Sequence, residues 1–243
     1  MGIKRDSLKY KLLSLLAWGL DEAEEWMEIL SDRNYLYKSG FRKRYFEETL
    51  NKLIKEGFFE KRTVGNRKIF ICGKEEIRRF YNENPKVFLA KEKWDGIFRA
   101  VAFDIPERER KKRVLLRKKL KYLGFGLLQR SIWISPYPLL ADLKEYFKKN
   151  NLSSYCLFLK SYPVEPKEIK DFVKMVWEID KINLAYKKFI EKWQKQKGEI
   201  KGLSEDYFSI FGSDPFLPAS LLPNDWLGEE AYRLYKEKLK TPK

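Results

Sequence analysis

The sequence predicts an α+β protein of three parts: an N-terminal winged helix-turn-helix, a central ferredoxin-like βαββαβ domain and a C-terminal helical domain. The expected boundaries are residues 1–85, 86–165 and 166–243. Three observations predict this. Amphipathic helical runs lead directly into an alternating pair of strands in the first part. Strands and helices alternate through the second, with a glycine stop after its first helix. Apolar residues recur three or four positions apart across residues 168–196 of the third.

The first helix is expected over residues 6–19, with Leu8, Leu12, Leu15 and Leu16 on one face. Asp6 or Ser7 can cap its start, and Gly19 ends it. A second helix is expected at residues 21–30, with Trp26, Ile29 and Leu30 inward. The third, in RKRYFEETLNKLIKEGFF, puts Phe46, Leu50, Leu53 and Ile54 on one face and Arg44, Glu48, Asn51, Lys52 and Lys55 on the other. Gly57 stops it. FFEKRTV and RKIFIC then alternate as strands across Gly65-Asn66, a two-residue hairpin signal. Residues 74–83 read as a short helix, and Pro85 marks a boundary.

In the central part IFRAVAFDI reads as a strand. Glu107 to Leu123 reads as a helix with Leu116, Leu120 and Leu123 inward and Gly124 as its stop. FGLLQRSIWIS reads as two short strands or one bent one. Pro138 to Asn150 reads as a second helix and SYCLFLKSY as a final strand. This order places helices on one face of a small antiparallel sheet. From Pro166 the pattern is helical, with Phe172, Val176, Ile179, Ile182, Tyr186, Phe189 and Trp193 inward. A break follows at Gly198–Gly202. A proline-rich apolar loop, GSDPFLPASLLPNDWLGEEA, precedes a last short helix to Lys240.

Composition narrows the chemistry. There is no histidine, so Ser–His–Asp and Cys–His mechanisms are excluded and a zinc site loses its commonest ligand. Cys72 and Cys156 lack metal-ligand spacing and read as buried thiols of a reduced, cytoplasmic protein. Any metal site would be oxygen-rich, suited to magnesium or manganese. No apolar run is long enough to cross a bilayer, so no membrane partner is expected. The net charge is +16, and residues 86–166 alone carry 18 basic and 8 acidic side chains, net +10. An excess of this size calls for a polyanion, and double-stranded DNA is the expected partner.

In a winged helix the third helix enters the major groove and the hairpin touches the backbone or minor groove. The expected groove residues are Arg44, Asn51, Lys52 and Lys55, and the expected wing residues are Arg62, Asn66, Arg67 and Lys68. Asparagine pairs with adenine and arginine with guanine in that groove.

The middle segment FDIPERERKKRVLLRKKLKYLGFGLLQRSIWISPYP resembles the PaaX family of transcriptional repressors. So do VWEIDKINLAYKKF and, most specifically, DPFLPASLLPNDWLGEEAYRLY. The resemblance runs over nearly the whole chain, although the first part matches mainly in architecture. It implies a homodimer: a DNA-binding winged helix, a central domain that helps dimerise, and a C-terminal domain that completes the dimer and the effector response. The implied effector is an acyl-coenzyme A thioester. No resident cofactor is expected. Arg110, Lys111, Arg113 and Arg117 are candidates to meet phosphates, of DNA or of such a ligand.

The middle segment also resembles, more weakly, the CRISPR-associated Cas-two protein. Asp104 and Gln129-Arg130-Ser131-Ile132-Trp133 carry that likeness. It implies an alternative, a CRISPR adaptation subunit or a magnesium- or manganese-dependent nuclease using Asp104 as metal ligand and catalytic carboxylate across a dimer. One carboxylate without a spaced acidic partner is a poor metal site within one chain. The other reading of Asp104 is structural: a carboxylate just before Pro106 that accepts amide hydrogen bonds from the next helix.

Overall fold

Several of the described helices end where a residue with positive φ lets the backbone reverse, and three of these ends share one pattern. The computed structural model describes residues 9, 12–14, 43–64, 67–72, 85–162, 168–198 and 200–240. Helix α1, Lys43–Lys55, stops at Gly57, whose φ is 80°. The amide of Phe58 bonds to the Leu53 carbonyl and that of Gly57 to the Ile54 carbonyl. This doubled closure satisfies carbonyls that the helix would leave bare. Phe46, Leu50 and Leu53 are buried beneath α1 and Ile54 is half-buried, as the spacing predicts.

Strands β1, Phe59–Val64, and β2, Arg67–Cys72, follow at once. They pair antiparallel from Phe59 opposite Cys72 to Val64 opposite Arg67, which leaves a two-residue connection. Lys9 and Leu12–Ser14 are helical, with Leu12 and Leu13 buried. Lys9 pairs with Glu56, and its ammonium lies over the Phe58 ring. The helices expected at 21–30 and 74–83, and the turn residues Gly65 and Asn66, lie outside the described residues.

The chain divides into two units: residues 1–83, 181–214 and 225–243 in one, residues 84–180 and 215–224 in the other. The second begins with α2, Pro85–Leu89, and holds a four-stranded antiparallel sheet. Its strands are β3 Phe98–Phe103, β4 Gly126–Gln129, β5 Ile132–Ser135 and β6 Cys156–Ser161. The spatial order is β4-β5-β3-β6. Helix α3, Arg110–Tyr122, joins β3 to β4, and α4, Leu140–Lys149, joins β5 to β6. This is the expected βαββαβ order, with first and third strands central. FGLLQRSIWIS is resolved into two strands, with a register irregularity between Leu127 and Gln129.

Val101, Phe103 and Trp133 meet Leu116, Leu120, Leu123, Leu143 and Phe147 in one buried cluster between sheet and helices. Gly124 ends α3 with φ 85°, and Asn151 ends α4 with φ 51°, both in the same closure as Gly57. The opposite face of the sheet is not left bare. Helix α5, Ile169–Trp177, crosses it at Gly126, where an added Cβ would lie 2.3 Å from Val176 Cγ1. The Trp177 indole donates to the Gly124 carbonyl at 3.0 Å, and Phe98 rests against Phe172 and Trp177.

The helical run expected through residues 168–196 is interrupted. Glu178 takes a left-handed conformation, φ 53°, and separates α5 from α6, Ile179–Lys195. In the first unit, α6 packs with α7, Leu203–Phe211, and α8, Gly228–Lys240. Their core is aromatic: Tyr186, Phe189, Trp193, Tyr207, Phe208, Phe211 and Tyr235 are buried. The Tyr207 and Tyr235 rings stack at 4.3 Å, and Tyr235 shares a hydrogen bond with Ser204.

Candidate nucleic-acid interface

The outward side of α1 carries the residues that the spacing assigns to a groove. Asn51, Lys52 and Lys55 are exposed, and neither lysine has an ion pair among the described residues. Their place in the last turn suits the negative end of the helix. Arg44 is fully exposed too, but its Nε donates to Glu48 at 2.9 Å, so its fork is partly engaged within the helix. Tyr45 falls outside the four groove positions. Its ring is 51% exposed beside Arg44, because the Phe46 stripe turns away from it. The only signal for it in the sequence is an aromatic that misses the apolar register.

In the hairpin, Arg62 lies opposite Ile69, Lys68 opposite Thr63, and Arg67 closes the pairing opposite Val64. The three basic positions thus sit at the turn end of the ladder. Asn66 lies outside the described residues.

The second basic group does not converge. Arg113 reaches back to the Glu107 carboxylate and to the Ile105 carbonyl, 3.4 Å away. Arg117 donates to the Arg130 carbonyl at 2.9 Å and lies over the Phe103 ring; its Nε is buried without a hydrogen-bond partner. Arg110 stands 4.0 Å from Glu107. Lys111 points outward and is exposed. Glu107 is held below the usual carboxylate range by its hydrogen bond and charge contact with Arg113, with a smaller effect from Arg110.

Asp104 does not cap the following helix. Neither Pro106 nor Glu109, which occupy the capping positions of the 3-10 turn Glu107–Glu109 and of α3, is accompanied by a side-chain cap bond. The chain stays extended past Phe103: the Asp104 amide bonds to the Tyr155 carbonyl, and its carboxylate faces solvent. The acid that ties down the first turn is Glu107. Among the described residues no group of three or more Cys, Asp or Glu side chains could hold a metal ion. Cys156 is half-buried, and burial pushes its thiol up to about 11, which keeps it protonated.

A polar pair lies inside the aromatic core of the C-terminal helices. Tyr186 donates to Asp214 at 2.8 Å, and both are buried. Burial, and next the Asp214 charge, push the Tyr186 phenol well above its ordinary value. In the sequence the loop after Gly212 is dominated by proline and large apolar residues, and nothing in it marks this carboxylate as buried.

Residues 91–173 match the PaaX protein central Cas2-like domain, and residues 177–241 match the PaaX-like protein C-terminal domain. The chain belongs to the PaaX-like family. The first match runs past residue 165 into the helix that begins at Ile169. Over 215 residues the chain is 22% identical to the transcriptional repressor PaaX of Escherichia coli (strain K12), covering 80% of this chain and 67% of that protein. In fold, this PaaX-like chain is similar to the uncharacterized protein Rv0674 from Mycobacterium tuberculosis, with a TM-score of 0.56 and 17% identity. That likeness covers 90% of this chain and 86% of the other. Among the described residues no helix is long and apolar enough to cross a membrane.

Proposed function

We propose that this PaaX-like chain is a DNA-binding transcriptional regulator, acting as a homodimeric repressor in the cytoplasm, and not an enzyme. The observation that carries the reading is α1 with the hairpin that follows it. The helix keeps one apolar side inward and offers Asn51, Lys52 and Lys55 outward, and the hairpin brings Arg62, Arg67 and Lys68 to one end of its ladder. A helix of this kind fits the major groove, and a cationic hairpin fits the adjoining backbone. The excess of positive charge and the name of the Escherichia coli relative point the same way.

In this reading residues 1–85 form the winged DNA-binding part, residues 86–165 help to dimerise, and residues 166–243 complete the dimer. A two-fold protein reads a two-fold operator. An acyl-coenzyme A thioester is the proposed ligand that releases it from DNA.

The test is binding of the full chain to duplex from upstream of its own gene, beside shuffled duplex of the same length, at physiological salt. Specific sites are typically about 10³-fold or more tighter than random DNA. Equal affinities contradict operator recognition. Addition of an acyl-coenzyme A to the specific complex is expected to weaken it, and unchanged affinity across acyl chains removes the effector from the proposal.

A further inference from the structure

The structure separates the cations of the central helices into two groups. Arg110, Lys112, Arg113 and Lys149 face carboxylates, and Arg117 is bound to a main-chain carbonyl. Arg108, Lys111, Lys118, Lys144 and Lys148 are exposed and have no ion pair among the described residues. We propose that this second group, on the outer side of α3 and α4, is a sequence-independent contact for the backbone of duplex DNA. The proposal rests on the DNA-binding reading above and adds to it a surface outside α1 and the hairpin.

The two helices lie side by side. Both belong to one core cluster, and Lys119 of α3 lies over the Tyr146 ring of α4, 5.6 Å from its centroid. Lys111 and Lys118 are seven residues apart, so they share one side of α3 about 10 Å apart along its axis. Lys144 and Lys148 are four residues apart, about 6 Å along α4. Duplex DNA carries one phosphate per roughly 3.4 Å of axis on each strand. Cations about 6 and 10 Å apart therefore match every second or third phosphate along one strand.

The compact phosphates of a coenzyme need donors that converge on one point, and these cations do not converge. Val114 and Leu115 lie between Lys111 and Lys118, 42% and 54% exposed. They leave an uncharged strip that can lie against sugar carbons between phosphates. None of the five cations has a carboxylate to hold, and a like-charged surface opposes folding unless a polyanion screens it.

Binding is measured as a function of salt with full-length protein and with the variant Lys111→Gln, Lys118→Gln, Lys144→Gln, Lys148→Gln. Each phosphate contact removed lowers the slope of log K against log salt by about 0.9. The variant is expected to lose about 2 to 4 from that slope while its preference between upstream and shuffled duplex is kept, because phosphate contacts carry no base information. A slope equal to that of the wild type, with an unchanged melting temperature, overturns the proposal. Where the fourfold variant melts early, Lys118→Gln with Lys148→Gln is the smaller change, expected to lose about 1 to 2, and an unchanged slope is again decisive. A wild type that binds neither duplex is a different result: the DNA-binding reading itself then fails.

Discussion

Arg117 of α3 donates to the main-chain carbonyl of Arg130, 2.9 Å away in the turn between β4 and β5. A residue that looks by composition like a phosphate ligand is thus a brace between helix and sheet. Arg117→Ala is expected to cost about 0.5–1.5 kcal/mol of stability, the net worth of one hydrogen bond that water can replace. The salt dependence of DNA binding should stay unchanged. Urea unfolding and a salt titration check the two halves separately.

Asp95 and Arg99 form a second brace. The Arg99 side chain is only 7% exposed, and it pairs with Asp95 and donates to the Ile97 and Pro136 carbonyls. Asp95→Asn leaves that guanidinium buried beside a neutral partner, at a cost of about 1–3 kcal/mol. The hydrogen bond from Arg99 is the main cause that lowers the Asp95 pKa. A lowered folded-state value means that this stabilisation is present above the unfolded carboxylate value, about 3.9, and is lost as pH falls through the lower folded value. Unfolding measured from pH 6 downward should therefore show a shallower acid decline in Asp95→Asn than in the wild type.

Gly126 is required by contact. Gly126→Ala puts a Cβ 2.3 Å from Val176 Cγ1 and 2.7 Å from Trp177. Relief needs α5 to move away from the sheet, at a cost of about 1–3 kcal/mol. A thermal melt lower than wild type is the expected outcome.

Tyr186→Phe removes one donor from the buried Asp214 and nothing else in shape. A loss of about 1–2 kcal/mol is expected. Chemical denaturation of the variant beside wild type measures it, and an unchanged midpoint shows that the hydrogen bond carries no net stability.

The local parts of this fold are legible in the sequence. The Phe46–Leu50–Leu53 and Leu116–Leu120–Leu123 stripes, and the stops at Gly57 and Gly124, depend on spacing and on one residue's conformational freedom. The break at Glu178 is not legible, because a glutamate in a left-handed conformation leaves no mark in composition. Helix α7 is missed for another reason. Leu203, Ser204, Tyr207, Phe208 and Phe211 are all buried, so its inward side is too broad to give a clear stripe. Charge is legible but its use is not. Arg113 and Arg117 read as phosphate ligands until their partners, Glu107 and the Arg130 carbonyl, are placed by the turns that precede and follow α3. Asp104 fails as a helix cap because its amide continues the sheet toward Tyr155.

The central claim is that the exposed side of α1 reads bases. The most direct measurement is the affinity ratio between upstream and shuffled duplex for wild type and Asn51→Ala, at one physiological salt concentration. Asn51 is exposed, so the variant should fold as the wild type does. Loss of one bidentate base contact is worth about 1–3 kcal/mol of discrimination, so the ratio should fall roughly 5- to 150-fold with little change on shuffled DNA. A ratio near one for the wild type, or one that Asn51→Ala leaves untouched along with Lys52→Ala and Lys55→Ala, contradicts the account.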